Sequence, residues 1–224
     1  FSLFRDFLAW IIEANKQFLI IGPLNAITYK EVFPLIMENE IWLGNGFQGG
    51  NAYFATPFAE DYGEGVYFAE KGLIKFRNVH WYTNLDHGRR HQPIPLMTME
   101  DNIKFSKRKE VRGQAYQQYD NYDAIEVPYT DAIPSDYDGI MGVPISFLDK
   151  YSPEQFEIVG MCENLDLYGL KTKVYTTEEC QQAYFAKFGK IGTYDLNASG
   201  VVHRNGLLES VYQRILIKHK RNYP

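Results

Sequence analysis

The side chains best suited to gripping a charged ligand follow Val79. Val79-His80-Trp81-Tyr82-Thr83-Asn84 is strand-like, and Gly88-Arg89-Arg90-His91 follows it closely. A strand that ends in such a basic tip is a candidate reader of an anionic partner, because guanidiniums pair with phosphate oxygens through charge-assisted hydrogen bonds. Tyr212, Arg214 and Lys218, expected on one face of a closing strand over 211–218, form a second set of the same kind. Taken alone, His80 reads as a strand histidine satisfied by its neighbours rather than as a proton carrier. Hydrolytic chemistry has no foothold: there is no Ser-His-Asp set, no Gly-x-Ser-x-Gly and no His-Glu-x-x-His. Pro134-Ser135-Asp136 lacks the downstream Glu-x-Lys of a metal-dependent nuclease. Asp136-Tyr137-Asp138-Gly139 fails the ligand spacing of a calcium loop and reads as a turn. Cys162 and Cys180 make no Cys-x-x-Cys and have no histidine at metal spacing, so they read as ordinary thiols and no metal site is expected.

The elements that must hold these residues start with a helix, a strand and a turn. Phe1, Phe4, Leu8, Ile11 and Ile12 share one helical face. Phe18-Leu19-Ile20-Ile21 is apolar on consecutive residues, which suits a strand buried on both faces, and it stops at Gly22-Pro23. Thr28-Tyr29-Lys30-Glu31 has capping-box spacing and predicts a helix start, although Pro34 requires that helix to begin near Val32 or to kink. In a sheet of alternating helices and strands, ligands sit beyond the carboxyl ends of the strands, which puts Pro23, Leu24 and Asn25 at a candidate site edge. The loop 45–50 has three glycines but neither a P-loop nor a dinucleotide fingerprint. Strand-like runs follow over 51–55, 65–70 and 73–84, with a hairpin turn at Glu70-Lys71-Gly72. Further strands are expected over 124–127, 140–145 and 156–161. A helix opens at the capping box Thr176-Thr177-Glu178-Glu179 and stops at Gly189.

Length and composition bound the class. With 224 residues, 45% apolar and 23% charged, the chain can bury a sizeable core and is not disordered. A net charge of −5 argues against a general nucleic-acid coat but not against a local basic groove. Residues 87–112 hold seven Lys/Arg against three acids, 118–140 hold six acids and no Lys/Arg, and 203–221 hold five Lys/Arg against one acid. Such alternation is how a chain looks when only some surfaces face phosphate, and equally how solvated faces without a partner look. Neither a transmembrane stretch nor a signal peptide is visible, so a cytoplasmic protein without a membrane partner is expected. The chain begins without Met, inside an apolar helical pattern, which suggests that the first half of a larger protein precedes it.

Longer blocks resemble the EcoRI-type adenine-specific DNA methyltransferases. They include Phe1-Ser2-Leu3-Phe4-Arg5, Phe18-Leu19-Ile20-Ile21-Gly22, Asn25-Ala26-Ile27-Thr28-Tyr29-Lys30-Glu31 and Ile41-Trp42-Leu43-Gly44. His80-Trp81-Tyr82-Thr83-Asn84-Leu85-Asp86, Tyr119-Asp120-Asn121-Tyr122-Asp123-Ala124-Ile125, Asp136-Tyr137-Asp138-Gly139 and the run from Met141 to Glu157 continue the likeness in order. The resemblance implies S-adenosylmethionine as methyl donor, adenine N6 in double-stranded DNA as acceptor, and a base turned out of the duplex. It implies an Asn/Asp-Pro-Pro-Phe/Tyr motif, whose oxygens accept the amine hydrogens and return electron density to nitrogen. Phe1 stands where the motif's aromatic falls, as the catalytic residue expected here, and the rest of the motif and the cofactor loop are expected before it. Asn25 is expected near the cofactor, and His80, Tyr82 and Asn84 near the flipped base or the distorted DNA. Charge adds Arg89, Arg90, Tyr212, Arg214 and Lys218 as DNA contacts. The fold expected is α/β: a partial Rossmann-like methyltransferase sheet over residues 1–90, then an irregular α+β target-recognition domain over 91–224. A companion restriction endonuclease is a further expected partner. The competing readings are a DNA-binding specificity module without chemistry and a restriction nuclease subunit.

Overall fold

In a computed structural model the described residues are 3–45, 51–63 and 65–220, and they mix helices with small sheets in two compact units, Phe1–Arg89 and Arg90–Pro224. In unit 1, α1 (Phe4–Glu13) buries Phe4, Leu8 and Ile11, the stripe that its apolar spacing predicts. β1 (Leu19–Pro23) runs into a 3₁₀ turn, Leu24–Thr28, and α2 (Phe33–Met37) follows. The expected helix start at Thr28 does not form: the Thr28 hydroxyl donates back to the Asn25 carbonyl at 2.9 Å and ends the turn instead. The helix begins five residues later with Pro34 in its first turn, where its missing N–H has no intrahelical acceptor to lose.

β2 (Trp42–Leu43), β3 (Ala52–Ala55), β4 (Tyr67–Phe68), β5 (Leu73–Phe76) and β6 (Val79–Thr83) complete unit 1. The single long strand expected over 73–84 is two strands, broken at Asn78, whose φ of 54° takes the chain through the left-handed region. β5 joins the sheet β3-β5-β4, whereas β6 lies between β1 and β2 in a separate sheet, and every pairing in both is antiparallel. β1 is not buried on both faces as expected. It lies at one end of its sheet with Leu19 53% exposed.

Unit 2 contains α3 (Met99–Phe105), β7 (Ala124–Glu126), β8 (Ile140–Pro144), β9 (Phe156–Met161), α4 (Thr177–Phe188), β10 (Val201–Arg204), β11 (Leu207–Ser210) and β12 (Arg214–His219). Its main sheet has the order β7-β8-β12-β9, parallel between β7 and β8 and antiparallel elsewhere. The closing strand starts at Arg214 rather than near Val211. Arg214 to Ile217 are all buried because β12 is central in this sheet, so the expected polar face is absent there. α4 has the capping box at Thr176 and Glu179 and a left-handed Gly189 at its end. β10 and β11 form a hairpin across Asn205-Gly206, with φ of 52° and 76°. Positive φ at both turn residues matches the twist of the flanking strands. Tyr119, Tyr122, Cys162, Val202 and Leu216 pack as one core cluster, and Tyr175, Cys180, Leu196 and Val201 as another. Both cysteines are buried free thiols, and burial pushes Cys162 up to about 12, which keeps it protonated. No described helix is long and apolar enough to cross a membrane.

Candidate functional site

The carboxyl end of β1 is braced from three sides. The Tyr82 hydroxyl donates to the Pro23 carbonyl at 2.8 Å, and its buried ring packs against Phe4 with centroids 4.9 Å apart. Burial pushes the Tyr82 phenol well above its ordinary range, so it remains a donor. Gly22 must be glycine because any Cβ there would enter the Phe4 ring. The Leu24 amide donates to the Asn78 carbonyl at 2.7 Å. The result is a fixed turn that buries Ala26 and Ile27 and exposes Asn25.

Strand register decides where the other expected residues fall. His80 lies opposite Gly22, at the same end of the sheet as Asn25, and is buried with Nδ1 3.1 Å from the Trp81 carbonyl oxygen. Asn84 lies past the opposite end of β6. Its side chain accepts from the Phe18 amide at 2.9 Å and donates to the Lys16 carbonyl at 2.9 Å, tying down the α1–β1 connection. Arg89 Nη1 reaches Asn45 Oδ1 at 3.3 Å. Arg90 opens unit 2 with its Nε buried. Phe1 lies outside the described residues.

Unit 2 has a groove of about 1600 Å³ between the 110–117 segment, the β10–β11 hairpin and the start of β12. Tyr212, 90% exposed, stands on it, and Gln114, Asn205 and Gln213 line it with side-chain amides. Arg214 is at its floor but is bound: its guanidinium donates to both Glu126 oxygens, at 2.6 Å from Nη2 and 3.1 Å from Nε. The Tyr119 hydroxyl donates to the same carboxylate. Burial acts against the Arg214 charge, but the hydrogen bonds and the negative charge of Glu126 outweigh it and hold its pKa above the usual arginine value. Lys218, at the far end of β12, pairs with Glu157 at 3.2 Å and does not line the groove. Thus Tyr212 and Arg214 share one groove and Lys218 is elsewhere. The Asn-Gly signature at 205–206 was the signal that could have pointed to the hairpin, and sequence reasoning passed over it. No group of three metal-ligating side chains occurs among the described residues.

Comparison with known proteins gives this geometry a context. A family profile described as adenine-specific methyltransferase EcoRI matches residues 1–220. The chain is 44% identical over 169 residues to the Type II methyltransferase M.EcoRI of Escherichia coli, covering 74% of this chain and 49% of that protein. It is 34% identical over 181 residues to the Type II methyltransferase M.MpnI of Mycoplasma pneumoniae, covering 78% of this chain and 54% of that protein. The chain therefore spans about half the length of the curated relatives it matches. No solved structure matches it. The profile runs through both units, and the chain belongs to the EcoRI family of adenine-specific methyltransferases.

Proposed function

We propose that this chain is part of a site-specific DNA methyltransferase that transfers methyl from S-adenosylmethionine to adenine N6 in duplex DNA, with the target base turned out of the stack. The family match over residues 1–220 carries the reading. Unit 1 is the later part of a Rossmann-like catalytic domain, and unit 2 recognises the target. Strand direction supports the first assignment. β1 and β2 both pair antiparallel with β6, so they run in the same direction, and the helical segment between them is a crossover.

When bound, S-adenosylmethionine supplies an electrophilic methyl group to the amine. The exposed Asn25 amide, on a turn whose next two residues are fully buried, fits the polar edge of a nucleoside. Tyr82 and Phe4 keep that turn from shifting, and a displacement of an ångström in a positioning group is enough to slow a transfer reaction severely. His80 and Tyr82 act beneath the site as positioning residues, Phe1 holds the flipped base, and Asn84 fixes the strand connection. Arg89, Arg90 and Tyr212 face the DNA, and Arg214 orders the groove from below. A companion restriction endonuclease and a cytoplasmic setting go with this role.

The test uses the full reading frame that encodes the chain, purified and incubated with methyl-labelled donor and duplex DNA. After digestion to nucleosides, the label should appear in N6-methyladenine. Label on cytosine would overturn the base assignment. DNA binding without incorporation would leave a specificity module, and metal-dependent cleavage of plasmid would point to a nuclease.

A further inference from the structure

The segment 107–112 carries four cations, Lys107, Lys109, Arg108 and Arg112, against the single acid Glu110. Only one of the four has its charge engaged among the described residues. The Arg108 guanidinium donates to Asp131 at 2.9 Å from Nη2 and lies 4.5 Å over the Tyr129 ring. Glu110, the acid inside the segment, lies close enough to Tyr129 to push its phenol pKa up. Of the two local acids, Asp131 is taken up by Arg108, which leaves Glu110 as the one acid against three cations. Lys107, Lys109 and Arg112 are exposed and make no ion pair among the described residues.

The backbone of this segment is fixed even though those charges are not. The Arg112 amide donates to the Arg108 carbonyl at 2.8 Å, the Gly113 amide donates to the Ile103 carbonyl at 2.8 Å, and Val111 is buried. A loop already ordered this way loses little further entropy when a ligand meets its cations. It also borders the unit 2 groove, which Glu110, Val111 and Gln114 line.

Inside the groove the cations are already engaged. Lys187 and Arg204 pair with Glu209 at 3.3 and 3.6 Å, and Arg214 pairs with Glu126 at 2.6 Å. What the groove offers a ligand is amide and phenol: Gln114, Asn205, Gln213 and Tyr212. Amides read base edges, whereas unmatched cations take phosphates. A groove whose cations are engaged and which presents amides, beside a rim of unengaged cations, is the division of labour that duplex DNA asks for.

We propose that the 107–112 segment is the phosphate-gripping rim of the unit 2 groove, with Lys107, Lys109 and Arg112 on the DNA backbone and the groove amides toward base edges. This deepens the DNA-methyltransferase reading above and rests on it. The experiment measures duplex affinity of the full protein against salt for the wild type and for Lys107→Ala/Lys109→Ala/Arg112→Ala. Each phosphate contact contributes about 0.9 to the salt slope, so losing three should flatten it by about 2.7. The charge-keeping variant Lys107→Arg/Lys109→Arg/Arg112→Lys should keep the wild-type slope. A triple-alanine variant with an unchanged slope, beside a salt-dependent wild type, would overturn the rim and leave the methyl-transfer reading standing. Flattening by the charge-keeping variant as well would make the effect structural and would also overturn it. A wild type with no salt-dependent duplex binding would remove both readings. Tighter binding of duplex RNA with the same slope change would overturn the DNA assignment.

Discussion

In unit 1, Asn84, Thr83 and Tyr82 reach across to backbone groups at Lys16, Phe18 and Pro23 through neutral hydrogen bonds of 2.6 to 2.9 Å. Unit 2 has neutral ties of this kind too, such as Asn121 to Ser199 and Val201 at 2.9 Å, but adds ionisable ones. Glu126 holds Arg214 and Tyr119, and Asp120 holds Lys173, Tyr175 and His203. A neutral staple keeps its strength across pH and salt. A buried charge pair is more directional, but it leaves a severe penalty when one partner is lost. The braced turn at Asn25 belongs to the first kind of construction and the groove to the second.

The largest break in that contrast is at the groove floor. Arg214→Ala leaves the Glu126 carboxylate buried, with only the Tyr119 hydroxyl from its present donors. We expect a loss of about 3–5 kcal/mol, read as a lowered urea midpoint for unit 2. Glu126→Gln, which removes the charge but retains an acceptor, should cost less. If Arg214→Ala unfolds no more readily than wild type, the pair is not what orders the groove.

Arg214 also shows where reading the chain had to stop. Its partner Glu126 is 88 residues away, and nothing short of the β7-β8-β12 order brings them together. An alternating pattern therefore placed it on an exposed face. Local signals did better where the backbone alone decides the outcome. The Thr176–Glu179 capping box and the left-handed Gly189 both depend only on residues within about a turn of themselves. Thr28 failed because capping spacing is necessary but not sufficient: its hydroxyl had a closer acceptor behind it. The run over 73–84 failed because strand-like residues continue across Asn78, and a left-handed residue leaves no trace in hydropathy. The contribution of Tyr82 to the Asn25 turn could be read from the family resemblance only as nearness to the site. Its bond to Pro23 needed the register of β6 on β1.

The neutral side of the contrast is probed by Asn84→Ala. Two backbone groups, the Phe18 amide and the Lys16 carbonyl, lose their partner. At about 1 kcal/mol for each, the cost is about 2 kcal/mol. It should be the same at neutral and at mildly acidic pH, since none of these three groups titrates. A cost that changes strongly over that range would mean that charge does hold unit 1 together.

Unit 2 should respond to acid by itself. Burial pushes the Asp120 carboxyl up, but hydrogen bonds from Lys173, Tyr175 and His203 outweigh it and hold it at about 2, against an ordinary 3.8. A folded-state value below the unfolded one gives stability that is complete above the unfolded value and is lost as pH falls through the folded one. The window is therefore from about 4 down to about 2. Solvent at this partly exposed cluster screens the effect to about 1–2 kcal/mol at most. Asp120→Asn should flatten the acid limb of thermal midpoint against pH. If the limb keeps its slope, the acid response originates elsewhere.

The smallest effect separates charges that build unit 2 from charges that merely lie on it. Lys218 and Glu157 pair at 3.2 Å with about half of each side chain exposed. An exposed pair repays little of the side-chain entropy it costs, so Lys218→Ala should change stability by no more than about 0.5 kcal/mol. That near-neutrality gives the variant a second use. Because the fold is untouched, any flattening of the salt dependence of DNA binding in Lys218→Ala would come from a phosphate contact at this position. An unchanged slope would leave Lys218 a surface charge, in contrast to Arg214 four residues earlier on the same strand.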